Sequence, residues 1–286
     1  MWFSKSKPTQ PATPSASGQR TLEFMARPFT RDDLQPLPEG WTIRTPDFVG
    51  VASGKAGTTW WYSLLLAHPQ IKPNRLGLKE TGYWYNFGCQ PPTDDQVEVY
   101  RQAFAAPQNC LCGEWSPGYL THPLVIEKIA VAAPDAKLLA ILRNPIDRFW
   151  SGYNQMLSLR FPHMNLDGLR AELFKIHSLF PAAARESLVA RDIKRLRELF
   201  DENVLILQYE KCKLDPAREL ARSYAFLGVD PSFRPPHLTA PVHAKPHTLP
   251  PLTGEQREWL SDYFSDDVIE LSYLVPGFDR SLWKDF

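Results

Sequence analysis

Asp47-Phe48-Val49-Gly50-Val51-Ala52-Ser53-Gly54-Lys55-Ala56-Gly57-Thr58-Thr59-Trp60-Trp61 is the stretch that decides the fold. It runs from a short apolar segment through a glycine-bracketed lysine into two hydroxyl residues that open an apolar helix. That order predicts a strand, a tight loop and a helix N-terminus. Gly54 and Gly57 carry no Cβ, so the backbone can turn sharply and approach an anion closely. The first N–H groups of the helix lack intrahelical partners and point at the same place. Thr58 and Thr59 add hydroxyls, and Lys55 adds a mobile point charge with three donors. The stretch is an anion site.

A nucleotide-triphosphate loop of the Walker type needs four residues between its glycines and a Ser or Thr after the lysine. Only three residues lie between Gly50 and Gly54, and Ala56 follows Lys55. Alanine offers no oxygen to Mg²⁺, so the loop suits a phosphate ligand that does not depend on a bound metal, and no metal is expected.

Working outward, residues 4–20 are rich in Pro, Ser and Thr and poor in apolar mass, and residues 21–46 read as an irregular lead-in. We therefore divide the chain into a disordered or irregular segment, 1–46, and one domain, 47–286. The first strand is placed at 47–52 and the first helix from Thr58 to about Ala67, ended by His68-Pro69. His68 reads as a capping or surface residue. Leu76 to Glu80 is expected as a short strand ending in a charged pair, and Tyr83-Trp84-Tyr85 as an aromatic wall. A polar helix from Asp94 to Ala105, a strand from Cys110 to Gly113 and a helix from Pro123 to Ala132 follow.

Leu138-Leu139-Ala140-Ile141-Leu142 is a continuous apolar run, the pattern of a parallel strand buried on both faces. Arg143 leaves its carboxyl end, where open α/β sheets place ligands. Val204 to Leu207 repeats the pattern, and helices are expected over 165–200, from Pro216 to Leu227 and from Thr253 to Tyr273. Strands alternating with helices predict an α/β fold, a P-loop NTPase-like three-layer arrangement with a mainly parallel central sheet flanked by helices. Residues 231–252 are dense in proline and hold His237, His243, His247 and Lys245. No spacing there matches a helical zinc pair, and the segment reads as a loop over the site.

Lys+Arg and Asp+Glu are equal at 32 each, so no global field draws the chain to nucleic acid or acidic membranes. Four scattered cysteines do not make a disulfide framework. Cys110 and Cys112 read as strand packing. Met1-Trp2-Phe3-Ser4-Lys5 lacks the apolar core of a signal peptide, and no apolar run approaches membrane-spanning length. A soluble, cytoplasmic protein with neither nucleic-acid nor membrane partner is expected.

Lys55-Ala56-Gly57-Thr58-Thr59 followed by Arg143-Asn144-Pro145-x-x-Arg148-x-x-Ser151 is a two-part signature that resembles the sulfotransferases. That family uses 3′-phosphoadenosine 5′-phosphosulfate (PAPS) and releases PAP. The resemblance implies that Lys55, Ala56, Gly57, Thr58, Thr59 and Trp60 bind the phosphosulfate end, and that Arg143 and Ser151 hold the 3′-phosphate. The family's late cationic contact is not evident, and Lys245 is its stand-in. Tyr209-Glu210, Asp215-Pro216 and Phe226-Leu227-Gly228 extend the resemblance, with Glu210 read as structural.

On the acceptor side, Glu80-Thr81-Gly82-Tyr83-Trp84 resembles the carbohydrate sulfotransferases' segment that carries the proposed base. The implied catalytic residues are Lys55 and Glu80, with His122 the other candidate base. Glu114-Trp115-Ser116-Pro117-Gly118-Tyr119 is similar to their Glu-Lys-Ser-Pro-x-Tyr segment, but Trp115 replaces the lysine and removes a cation suited to an anionic sugar. The expected activity is sulfuryl transfer from PAPS to a hydroxyl-bearing small molecule or carbohydrate. A nucleotide kinase or NTPase shares the sheet architecture, but Ala56, and Arg143 where an acidic residue would follow the strand, disfavour it. A non-catalytic nucleotide-binding protein is the third reading.

Overall fold

The run Phe48–Ala52 is buried along its whole length and forms the centre of a five-stranded sheet. A computed structural model describes residues 23, 26–122, 124–160, 180–239 and 251–286. Its strands are β1 (Thr42–Ile43), β2 (Phe48–Ala52), β3 (Ile71–Lys72), β4 (Ala105–Ala106), β5 (Leu111–Trp115), β6 (Lys137–Leu142) and β7 (Val204–Gln208). Helices α1 (Thr58–Leu66), α2 (Asp94–Gln102), α3 (Val125–Ala132), α4 (Pro145–Arg160) and α5 (Phe180–Arg185) are followed by α6 (Ala190–Phe200), α7 (Tyr209–Leu214), α8 (Pro216–Leu227) and α9 (Gly254–Leu274).

The sheet order is β3-β5-β2-β6-β7, with every pair parallel. Side chains alternate across it and build two cores. Val49, Val51, Leu138, Ala140 and Leu142 face one side, packed with Ile126 and Ile129 of α3 and Ile193 and Leu196 of α6. Phe48, Ala52, Leu139 and Ile141 face the other, packed with Trp61 and Leu65 of α1 and Leu220 and Tyr224 of α8. Each fully buried aliphatic side chain contributes about 1.5–3 kcal/mol, so a sheet covered on both faces is what these runs favour. A third cluster joins Phe149 and Tyr153 of α4 to Leu260 and Phe264 of α9.

The chain leaves β2 toward β5 on one side and is met by β6 on the other. The loops after β2, β5 and β6 therefore gather at one crevice, the switch point where open α/β sheets bind ligands.

Three expectations change. Leu76 to Glu80 is not a strand: the buried Asn74 side chain accepts from the N–H groups of Leu76 (3.2 Å) and Leu78 (3.3 Å) and donates to the Leu78 carbonyl (2.7 Å), taking up the groups a ladder needs. The polar helix stops at Gln102, and the residues beyond it enter β4, which pairs with β1. His68 is buried rather than on the surface, with Nδ1 accepting from the Gln70 N–H (3.1 Å) and its ring against Tyr224 and Phe233. Phe29, ahead of β1, also packs into the core. Among the described residues no helix is long and apolar enough to cross a membrane.

Candidate active site

The loop after β2 keeps the shape its residues predict. Gly57 precedes α1 in the left-handed region (φ 86°), and a Cβ on it would stand 2.5 Å from the ring of Tyr209. Lys55 also has positive φ, 74°, a conformation that ordinary side chains avoid and that is held only by surrounding structure. Part of that hold is visible. Arg143 donates through Nη1 to the Lys55 carbonyl at 2.6 Å and lies over the Tyr209 ring, 5.1 Å from its centre. The two halves of the signature, 88 positions apart, thus meet directly.

Ala56 is fully buried, so its methyl belongs to the core beneath the loop. Thr58 is buried and Thr59 half-buried at the start of α1. Trp60 is half-buried, and its Nε1 donates to the Leu238 carbonyl at 2.9 Å, tying α1 to the start of the proline-rich segment. Lys245 lies outside the described residues, as do His243 and His247, while His237 is exposed.

The turn after β6 is braced from behind. Asn144 Oδ1 accepts from Ile146 N–H (2.9 Å), starting α4, while its amide donates to Asp285 (2.9 Å). Glu210 accepts from Asn144 N–H (3.0 Å) and from Trp283 Nε1 (2.7 Å). Burial pushes the Glu210 carboxyl up from its ordinary value, and these donors pull it back. Both its oxygens serve the fold, in line with a structural role. Ser151 is buried on the second turn of α4.

Arg148, one turn along α4, is buried and pairs through Nη1 with Glu186 at 2.9 Å, while its Nε and Nη2 find no hydrogen-bond partner among the described residues. Burial pulls this guanidinium below its ordinary value. Glu186 follows α5, and its carboxylate lies beside the anion loop, 3.8 Å from where a Cβ of Gly54 would be. No local pattern in the sequence announces it.

The wall expected around Glu80 and Tyr83 is built differently. Trp115 N–H donates to the Lys79 carbonyl at 2.8 Å, which pins the 76–80 segment alongside β5. Glu80 is partly exposed and ion-paired to its neighbour Lys79, whose ammonium also lies 3.4 Å from Thr58 Oγ1. Glu114 is fully buried and accepts from Tyr100 (2.6 Å), Ser116 (2.6 Å) and Thr81 hydroxyls (2.7 Å) and from Thr81 N–H (3.2 Å). It is the hub that holds the wall together. Trp115 turns the opposite way, into the second core, where its indole occupies the space left by Gly50: a Cβ there would be 2.0 Å from it. His122 is exposed, with its ring 5.4 Å from that of Tyr85.

Residues 45–240 match the sulfotransferase domain family model. The chain is 26% identical over 273 residues to the human bifunctional heparan sulfate N-deacetylase/N-sulfotransferase 3, covering 84% of this chain and 31% of that protein. It is 29% identical over 202 residues to mouse heparan sulfate glucosamine 3-O-sulfotransferase 6, covering 65% of this chain and 53% of that one. The chain spans about a third of the length of the first relative and about half of the second. The crystal structure of a sulfotransferase from Alicyclobacillus acidocaldarius superposes with a TM-score of 0.63 at 26% identity, covering 85% of this chain and all of that one.

Proposed function

Because the chain belongs to the sulfotransferase domain family, we propose that it moves a sulfuryl group from PAPS to a hydroxyl-bearing carbohydrate or small molecule and releases PAP. The observation that carries this reading is the contact of Arg143 with the Lys55 carbonyl, which joins the two anion-binding halves into one site. The left-handed turn at Lys55 and Gly57 and the N-terminus of α1 make a cradle of backbone N–H groups that fits a phosphosulfate.

In this reading the protein's work is positioning and charge stabilisation. Arg143 and Ser151 grip the 3′-phosphate, the arginine through charge-assisted bonds. Glu80 accepts the proton of the acceptor hydroxyl as that oxygen forms its bond to sulfur. The bridging S–O bond breaks, its electron pair stays on the departing phosphate, and Lys55 neutralises the charge that builds there. Trp115 buries an indole in the core at the position where the resembled motif carries lysine, so that cation is not offered to a polyanionic acceptor. An uncharged acceptor therefore suits the site better than a polyanionic one.

Incubation with PAPS labelled in its sulfur, against a panel of neutral sugars, simple alcohols and phenols, and heparan-type polyanions, tests the reading. Label is expected on a neutral hydroxyl acceptor, and EDTA is expected to leave turnover unchanged, because Ala56 has no oxygen for Mg²⁺. Transfer of phosphate from ATP with a strict Mg²⁺ requirement would replace this reading with a kinase.

A further inference from the structure

Lys79 has no assigned part in the signature, yet its ammonium sits where both halves of the chemistry meet. It is shared among Oε1 of Glu80, Oγ1 of Thr58 at 3.4 Å and the Trp115 carbonyl at 3.4 Å. An ammonium has three N–H donors. One is committed to a carboxylate, and the other two reach only loosely held oxygens. The side chain keeps 15% of its surface exposed, so the group is enclosed but reachable.

Thr58 opens α1, and the unpaired N–H groups of that first turn face the anion loop. A cation one long hydrogen bond from Thr58 is adjacent to any anion those groups hold. Burial pulls the ammonium below its ordinary value while Glu80, and at a distance Glu114, pull it back up. The lysine that the resembled motif carries at position 115 is missing, and the ammonium of Lys79 lies against the backbone of that same residue.

We propose that Lys79 is a second cation of the transfer site, holding Glu80 in the absence of donor and donating to the sulfuryl oxygens when PAPS binds beside Thr58. The inference rests on the sulfotransferase reading. Lys79 forms and breaks no covalent bond and keeps its proton. Its shift toward the sulfuryl group frees the Glu80 carboxylate for the acceptor hydroxyl.

The test compares affinities for PAPS and PAP by calorimetry, without acceptor, in the full chain and in Lys79→Met, Lys79→Gln and Lys79→Arg. PAP lacks the sulfuryl group, so a contact to that group shows only with PAPS. Lys79→Met and Lys79→Gln are expected to lose about tenfold or more in PAPS affinity, the scale of one charge-assisted hydrogen bond, with PAP affinity nearly unchanged. Lys79→Arg is expected to keep most of the PAPS affinity. Equal losses for the two nucleotides, or none for PAPS, overturn the proposal, because a merely structural lysine moves both together. If the methionine variant does not fold, the glutamine and arginine variants carry the same comparison. A wild-type chain that binds neither nucleotide, or binds ADP as well as PAP, sinks the donor reading and this inference with it. A wild type that binds both with unaltered Lys79 variants sinks this inference alone.

Discussion

The loop after β2, proposed to bind the donor, and the wall around Glu80 and Glu114, proposed to face the acceptor, meet where Lys79 reaches Thr58, and they are made by opposite means. The loop is built from backbone: glycine positions, a left-handed lysine, and a helix N-terminus, with Arg143 closing on the Lys55 carbonyl. The wall is built from side chains that find one another through space, with Glu114 collecting four donors and Lys79 linking Glu80 to Thr58. Backbone sites depend on local order and tolerate little change in residue type. Side-chain sites rest on residues that are distant along the chain, as Lys79 and Thr58 are.

The contrast predicts that the two sides fail differently. Glu80→Gln keeps the size and hydrogen bonding of the side chain but removes its basicity. It is expected to lower kcat by about 10²–10⁴-fold, the range for a positioned acid or base, while PAP affinity stays near wild type. Lys55→Ala is expected to damage both PAP binding and turnover, because in the proposed mechanism the lysine touches the donor before and during transfer. Since Glu80 is ion-paired in the structure, melting temperature measured on the same samples separates lost chemistry from lost stability. Near-normal kcat in Glu80→Gln removes it from the mechanism and moves the search for a base to His122.

A smaller effect is expected at the other end of the donor. If Arg143 grips the 3′-phosphate, PAP stabilises the protein against heat far more than ADP, which lacks that phosphate. Lost charge-assisted contacts correspond to more than about tenfold in affinity. Arg143→Ala is expected to erase the difference between the two nucleotides. Because Arg143 also braces the Lys55 carbonyl, some loss of affinity for both is expected alongside. Equal stabilisation of the wild type by PAP and ADP breaks the assignment.

The same contrast explains what was legible in the sequence. The runs at Phe48–Ala52 and 138–142 are continuous and apolar because both faces are covered, the run at 204–207 repeats the pattern at the sheet edge, and all three patterns are local. So is the start of α9, where Thr253 and Gln256 form a capping box. The loop from Gly54 to Thr59 and the turn at Arg143 are equally local, and both were readable. Strands β1, β3 and β4 hold two residues each and carry no periodicity. The 76–80 segment reads as a strand until the buried Asn74 side chain claims its backbone. Glu186 reaches the loop from beyond α5, and Lys79 acquires meaning only beside Thr58; no spacing along the chain encodes either approach.

The smallest expected effect concerns the hub of the wall, where two influences on Glu114 oppose each other. Burial pushes its carboxyl up from the ordinary value of 4.5, while the hydroxyls of Ser116, Tyr100 and Thr81 pull it down. With burial the larger influence, the folded chain holds a proton on Glu114 more tightly than the unfolded chain does. The associated stability is then fully present below the unfolded value near 4.5 and is lost as pH rises through the folded one. Glu114→Gln keeps the shape but never ionises, so other buried carboxylates titrate alike in both proteins and cancel in the difference. The melting temperature of wild type minus that of Glu114→Gln is therefore expected to fall as pH rises above 4.5. A drop of a few degrees is the expected scale, since about 1 kcal/mol moves the melting temperature of a domain this large by roughly 2–4 °C. Thermal melts of the two proteins at intervals between acid and neutral pH decide it. If the difference rises with pH instead, the four donors outweigh burial. The hub of the wall is then an ionised carboxylate, held by its donors much as the loop opposite is suited to hold its anion.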